Sequence, residues 1–165
     1  MDKTAIIFGS TTGMTEDVAG KIAAQLSISK EHIYEVANIT PEIISRYDAL
    51  LLGSSTWGSG ELQDDWYDGV EVLKKSNLNG KTVSFFGTGD SYSYSDTFCD
   101  AMGLIYKEIE ASGAVFTGQV EASDYSFDDS AAVANGKFVG LALDETNEAD
   151  KTDERISRWI KSLVI

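Results

Sequence analysis

The chain has 165 residues, enough to bury one well-packed core and too few for two comfortable domains, so a single domain over 1–165 is expected. Asp and Glu number 27 against 13 Lys and Arg, a formal net charge of −14, which argues against nucleic acid and anionic membranes and makes a basic face the expected macromolecular partner. One cysteine, Cys99, and one histidine, His32, exclude an internal disulfide or an iron–sulfur cluster ligated within the chain, and argue against a conventional zinc site or a Ser-His-Asp triad.

The first apolar run, Thr4 to Phe8, begins within a few residues of the start, so no signal peptide is expected; no apolar stretch approaches the roughly 20 residues of a membrane span. A cytoplasmic location follows as the expectation. The run stops at Gly9-Ser10-Thr11-Thr12-Gly13-Met14-Thr15 and feeds a stretch in which Val18, Ile22 and Leu26 keep helical spacing. A Gly/Ser/Thr turn at a helix N-terminus gathers unpaired amide donors and the positive end of the helix dipole, where an anion can sit. No lysine follows Gly13 and no G-x-G-x-x-G is present, so neither a Walker loop nor a pyrophosphate fingerprint applies. A loop with no basic residue suits a phosphate monoester on a ligand anchored elsewhere; an ordinary capped turn is the alternative.

Further along, Ile33 to Val36 reads as a strand, with His32 at its start as a structural residue. Thr40-Pro41 reads as an N-cap followed by proline at the first position of a short helix running to about Tyr47. Ala49 to Gly53 is the next strand; it opens into a loop, Ser54 to Leu62, that carries Thr56-Trp57-Gly58-Ser59-Gly60. Trp66, Val70 and Leu73 mark a helix, Thr82 to Gly87 a strand, and Thr88 to Asp96 a second loop rich in small residues with Tyr92 and Tyr94. Phe98, Met102, Ile105 and Ile109 form another helical stripe, Ala114 to Thr117 a short strand, and Phe138 to Leu143 a further apolar run. A last helix is expected from Thr152, with Asp153 and Glu154 at its positive end, burying Ile156, Trp159, Ile160 and Leu163.

Strand and helix alternate, and most strands are continuously apolar, as in a parallel sheet covered on both faces. In such sheets ligands bind beyond the carboxyl ends of the strands, which selects the loops at Ser10–Thr15, Ser54–Leu62 and Thr88–Asp96. Trp57 and Tyr94 on separate loops could clamp a planar ring while glycines admit backbone amides to its polar edge. Flavin mononucleotide (FMN) fits that inventory; aromatic side chains that merely cover the sheet end are the alternative.

With these residues in place, the chain resembles a flavodoxin of the long-chain type over essentially its whole length. The resemblance rests on Ser10-Thr11-Thr12-Gly13-Met14-Thr15 as the phosphate loop, Thr56-Trp57-Gly58-Ser59-Gly60-Glu61-Leu62 as the first flavin loop, and Gly87-Thr88-Gly89-Asp90 through Tyr94 and Asp96 as the second. Phe138 to Glu145 resembles the stretch that closes the long-chain insertion. It implies one doubly wound α/β domain with a five-stranded parallel sheet of order 2-1-3-4-5, helices on both faces, and a fifth strand interrupted by an insertion at 118–137. It also implies non-covalent FMN and low-potential one-electron transfer, between semiquinone and hydroquinone, linking larger redox enzymes, with no catalytic or metal-ligating residue. By the same resemblance Trp57 and Tyr94 stack on opposite flavin faces, with Tyr92 a rival for the outer one, and the cofactor set extends through Thr97, Phe98 and Cys99. Cys99 lies either near the pyrimidine edge or buried as an inert thiol. The role of the insertion, with Tyr125 and Phe127, is not readable.

In this family the peptide after the loop tryptophan is expected to rotate on one-electron reduction. Here it joins Gly58 to Ser59, and glycine lowers the cost of a positive φ, so an accessible neutral semiquinone is expected. Glu61, Asp64, Asp65, Asp68, Asp90, Asp96 and Asp100 should oppose the second electron. One charge about 10 Å away at an effective dielectric of ~20 costs about 1–2 kcal/mol before screening, some tens of millivolts. The expected partners are basic faces of flavodoxin or ferredoxin reductases and of low-potential acceptors, met by a monomer. An FMN-dependent NAD(P)H or quinone oxidoreductase is the alternative, and a docking module without redox work is a third. A phospho-accepting receiver domain would need an acidic cluster at the end of the first strand and an Asp at the end of the third, where this chain has Gly9-Ser10 and Ser54-Ser55.

Overall fold

The computed structural model describes residues 3–165; Met1 and Asp2 of the expected domain lie outside the described residues. In chain order the elements are β1 (Thr4–Gly9), α1 (Met14–Leu26), β2 (Ile33–Glu35), α2 (Pro41–Ser45), β3 (Ala49–Trp57), β4 (Glu61–Leu62), α3 (Trp66–Lys75), β5 (Thr82–Thr88) and α4 (Asp100–Ile109). Short strands β6 (Val115–Phe116), β7 (Val120–Glu121), β8 (Val133–Ala134) and β9 (Lys137–Phe138) follow, then β10 (Leu141–Leu143) and α5 (Thr152–Ser162).

Strands β2, β1, β3 and β5 lie side by side and parallel. The fifth position is shared: β6 pairs with the start of β5 (Thr82↔Val115) and β10 with its end (Leu141↔Phe86 to Leu143↔Thr88). The sheet is therefore of order 2-1-3-4-5 with its last strand cut in two.

Alternation along each strand supplies two cores. Ile7, Leu50, Leu52, Val83 and Phe85 face one way, against Trp66 and Leu73 of α3 and Met102 and Ile105 of α4. Ile6, Leu51 and Phe86 face the other, against Val18 and Ile22 of α1 and Ile156 and Trp159 of α5. Ile160 and Leu163, expected to be buried, are only partly so and pack on the rim of that second core. At α2 the Thr40 hydroxyl accepts from the Ile43 N–H (3.2 Å), the capping bond its sequence implies, and the helix ends at Ser45, just short of Tyr47. Among the described residues no helix is long and apolar enough to cross a membrane.

One strand expectation is corrected. The apolar run Phe138 to Leu143 is not continuous: Phe138 belongs to a small antiparallel sheet of order β7-β9-β8, and Leu141–Leu143 to the main sheet. Gly140, between them, lies so close to the Phe85 carbonyl that a Cβ would collide with it, and this close approach is what lets the chain change sheets. Phe138 of the small sheet, with Tyr125 and Phe127 from the segment between β7 and β8, surrounds Phe98, just before α4, at ring-centroid distances of 5.6–6.1 Å.

Candidate functional site

Three loops leave the carboxyl ends of β1, β3 and β5 on one edge of the sheet, as the topology requires, and the exit of β10 joins them. Together they enclose an open cleft of ≈ 240 Å³ lined by Thr12, Met14, Ser55, Thr56, Trp57, Gly58, Thr88, Gly89, Asp90, Tyr94, Thr97 and Thr146.

At the first loop Gly13, at φ 91°, forms the N-cap of α1, and no side chain caps the first turn. Its amides therefore remain available at the positive end of the helix. The Gly13 N–H donates to Ser10 Oγ (3.1 Å), and Gln63 Nε2 donates to Thr11 Oγ1 (3.2 Å). Each hydroxyl thus serves the protein as acceptor and keeps its own proton for a further acceptor. Thr12 lines the cleft directly, whereas Thr15 is buried behind it, its Oγ1 3.2 Å from Thr88 Oγ1. Every hydroxyl here can donate and no cation is present, the donor set of a site for an anion of modest charge.

The second loop is a tight hairpin in which Thr56 faces Leu62 and Trp57 faces Glu61. Gly58 (φ 51°) and Gly60 (φ 95°) take the left-handed conformations of the turn, closed by the Gly60 N–H to the Trp57 carbonyl (3.1 Å). A Cβ on Gly60 would sit 2.5 Å from Asp100 Oδ2, so the hairpin tip lies directly on the start of α4. Thr56 Oγ1 accepts from the Ala101 N–H (3.1 Å) and fixes the same junction. The indole N–H of Trp57 donates to Ser55 Oγ (2.7 Å), which orients a ring that is 38% exposed.

In the third loop the Asp90 carboxylate accepts from the Tyr92 and Ser93 N–H groups (3.1 and 2.9 Å) and its carbonyl from the Tyr94 N–H (3.0 Å). The Ser93 amide, with further donors from Asn147 and Tyr92, holds the Asp90 carboxyl below the usual carboxylate range despite some burial. Tyr94, 51% exposed, lines the cleft; Tyr92, 86% exposed, does not. Asp100, in contrast, is pushed above the ordinary range by burial, with Asp129 and Asp96 adding to the effect and the Ala131 N–H opposing it.

Of the residues expected to bind a cofactor, Thr12, Met14, Thr56, Trp57, Gly58, Thr88, Gly89, Asp90, Tyr94 and Thr97 share the cleft wall. Ser10, Thr11 and Gly13 lie in the loop beside it and Thr15 is buried beneath that loop, Ser59 and Gly60 form the hairpin tip, and Asp96 is an exposed flank. The side chains of Phe98 and Cys99 turn into the core, and for Cys99 this is the buried thiol that the sequence offered as one of two readings. Phe98 is 1% exposed under the small sheet; Cys99 is fully buried, its Sγ near the Leu143 carbonyl, and burial raises the thiol far above its ordinary value. Only their backbone is left to approach the cleft.

Sequence reasoning missed Ser55, Thr146 and the acidic exit of β10. Applying the strand-end rule to the fifth strand would have found Asp144 to Asn147. A separate groove of ≈ 250 Å³ between β7 and α5 contains Arg155, stacked on Tyr125 at 4.0 Å and ion-paired with Glu148, but none of the three loops.

The residues fit FMN on an independent observation: Thr97 Oγ1, in the cleft wall, is buried without a hydrogen-bond partner, the condition of a polar group waiting for a ligand. A family model described as Flavodoxin matches residues 6–159. The chain is 41% identical to flavodoxin 1 of Azotobacter vinelandii, covering 99% of this chain and 96% of that protein, and 41% identical to flavodoxin 1 of Escherichia coli K12, covering 97% and 92%. The solved structure of Fusobacterium nucleatum flavodoxin bound to flavin mononucleotide superposes with a TM-score of 0.87 at 27% identity, over 98% of this chain and 96% of that one.

Proposed function

The chain belongs to the flavodoxin family, and from that premise we propose how its own residues make it an FMN-based electron carrier rather than an enzyme. The observation that carries the reading is the division of the cleft: hydroxyls and uncapped helix amides at one end, Trp57 and Tyr94 at the other. Bound FMN supplies a ring that accepts and releases electrons singly at low potential.

The protein's part is to hold, orient and tune. Ser10, Thr11 and Thr12 hydroxyls and the first-turn amides of α1 hold the phosphate without a cation, leaving its charge uncompensated by any side chain. Trp57 and Tyr94 cover the two ring faces and exclude water from them, and Thr97 Oγ1 supplies a donor to the polar edge. Asp90, Asp96, Asp100 and Glu61 place negative charge around the ring and disfavour adding more, which lowers the potential of the second electron. Residues 118–137 are an insertion into this single FMN-binding domain, which works as a cytoplasmic monomer. Its acidic surface docks on basic faces of reductases and low-potential acceptors, with association weakening as salt rises.

An anaerobic reductive titration of the flavin-loaded protein, followed by absorbance with redox dyes present, tests the reading. Two well-separated one-electron steps, the second strongly reducing and neither driven by NAD(P)H alone, are expected. Direct two-electron bleaching by NAD(P)H would establish the oxidoreductase alternative instead.

A further inference from the structure

Asp144, at the exit of β10, is completely buried, yet among the described residues no lysine, arginine or histidine is bonded to it. Its carboxylate accepts from the Ser91 N–H (3.1 Å), the Ser91 hydroxyl and the Asn147 N–H (3.0 Å). Asn147 Nδ2 then approaches both Asp144 oxygens (3.1 and 3.0 Å) and also Asp90 Oδ1 (2.8 Å). A side-chain amide nitrogen has two hydrogens, so one group donates to two carboxylates at once. Its orientation is forced, because the amide oxygen in that place would face both acids. The same Asp90 carries Tyr94 through its carbonyl and closes the turn at Tyr92 and Ser93 through its carboxylate.

We propose that Asn147 is a positioning residue: its amide latches the Asp90–Tyr94 loop to the buried Asp144 and so holds Tyr94 over the cleft. The assignment deepens the flavodoxin reading and rests on it for the cleft's occupant. The latch itself is a property of the protein alone. Neutral donors suit this place because a cation would cancel the negative charge beside the ring, whereas an amide ties two carboxylates together and leaves both charges standing. Hydrogen bonds to charged acceptors are the strong class, so losing the bridge loosens the loop on the order of tenfold.

The test uses Asn147→Ala, at an exposed position where the backbone bond to Asp144 survives, and Asn147→Asp, which adds a third carboxylate. In flavin-free protein, amide exchange at Tyr92 and Ser93 rises about tenfold in the first variant and further in the second, while the rest of the sheet is unchanged. In the flavin titration, FMN and riboflavin lose affinity equally, about tenfold, and in a Tyr94→Ala background Asn147→Ala has no additional effect. Unchanged exchange at Tyr92 and Ser93 overturns the latch, and so does an equal loss of affinity with or without Tyr94. Should the unaltered protein bind no flavin, the family-based reading fails, and the exchange measurement still decides the latch.

Discussion

The two ends of the cleft are built on opposite plans. The end proposed to hold the phosphate is framed by α1 and by buried neighbours: Gln63 reaches Thr11, Trp66 presses on Gly9, and Thr15 meets Thr88 beneath the loop. The ring end consists of two half-exposed aromatics on a glycine hairpin and an acidic turn, tied down by Asn147 and surrounded by carboxylates. One end is a rigid set of neutral donors, and the other a lightly anchored field of negative charge. Phosphate recognition and redox tuning are thereby separated in space, so a change at the first end should weaken FMN and spare riboflavin, whereas a change at the second bears on both ligands alike.

The largest effect belongs to the phosphate end. Replacing Thr11 and Thr12 together with valine removes two hydroxyl donors to an anion, each worth about 1.5–3 kcal/mol, so FMN affinity falls on the order of 100-fold or more. Riboflavin, which lacks the phosphate, binds the variant as it binds the original, and fluorescence titration of both ligands measures the contrast. Equal losses for the two would show that the ends are not separable. At the ring end, Gly58→Ala places a Cβ on a residue at φ 51°, a cost of about 1 kcal/mol in this conformation. The separation between the two one-electron potentials shifts by some tens of millivolts while FMN affinity changes little; an unchanged separation removes Gly58 from the tuning.

The smallest effect concerns Asp100, whose carboxyl lies above its ordinary range in the folded protein. A raised carboxyl contributes stability that is complete below the unfolded value and lost as pH rises through the folded one, so at neutral pH the ionised group is a burden. Asp100→Asn keeps an acceptor for the Ala131 N–H and raises the melting temperature of flavin-free protein at pH 7 by about 1–2 °C. Below the ordinary carboxylate range the gain disappears. A gain that persists in acid would mean that packing rather than charge is responsible.

The sheet and its binding edge were legible because buried parallel strands leave continuous apolar runs and because ligands gather at strand ends. The same signal misled at Phe138–Leu143, where an unbroken apolar run crosses from one sheet to another and only the contact between Gly140 and Phe85 reveals the break. Phe98 lay both in a helical core stripe and beside a flavin loop; packing under Tyr125, Phe127 and Phe138 decided for the core. The place of Asp144 and Asn147 at a strand exit was open to the strand-end rule, but their role was not, because it depends on Asp90 and Ser91, more than fifty positions away, and no local pattern encodes that meeting.

The three tryptophans also form a set of optical probes. Trp66 donates to the Gly53 carbonyl on one side of the sheet, Trp159 to the Gly118 carbonyl on the other, and both are buried, while Trp57 stands at the cleft. Buried indoles emit at shorter wavelengths than hydrated ones. The long-wavelength part of the emission should therefore vanish on flavin capture, while the short-wavelength part follows the two faces of the core through unfolding, with no label attached.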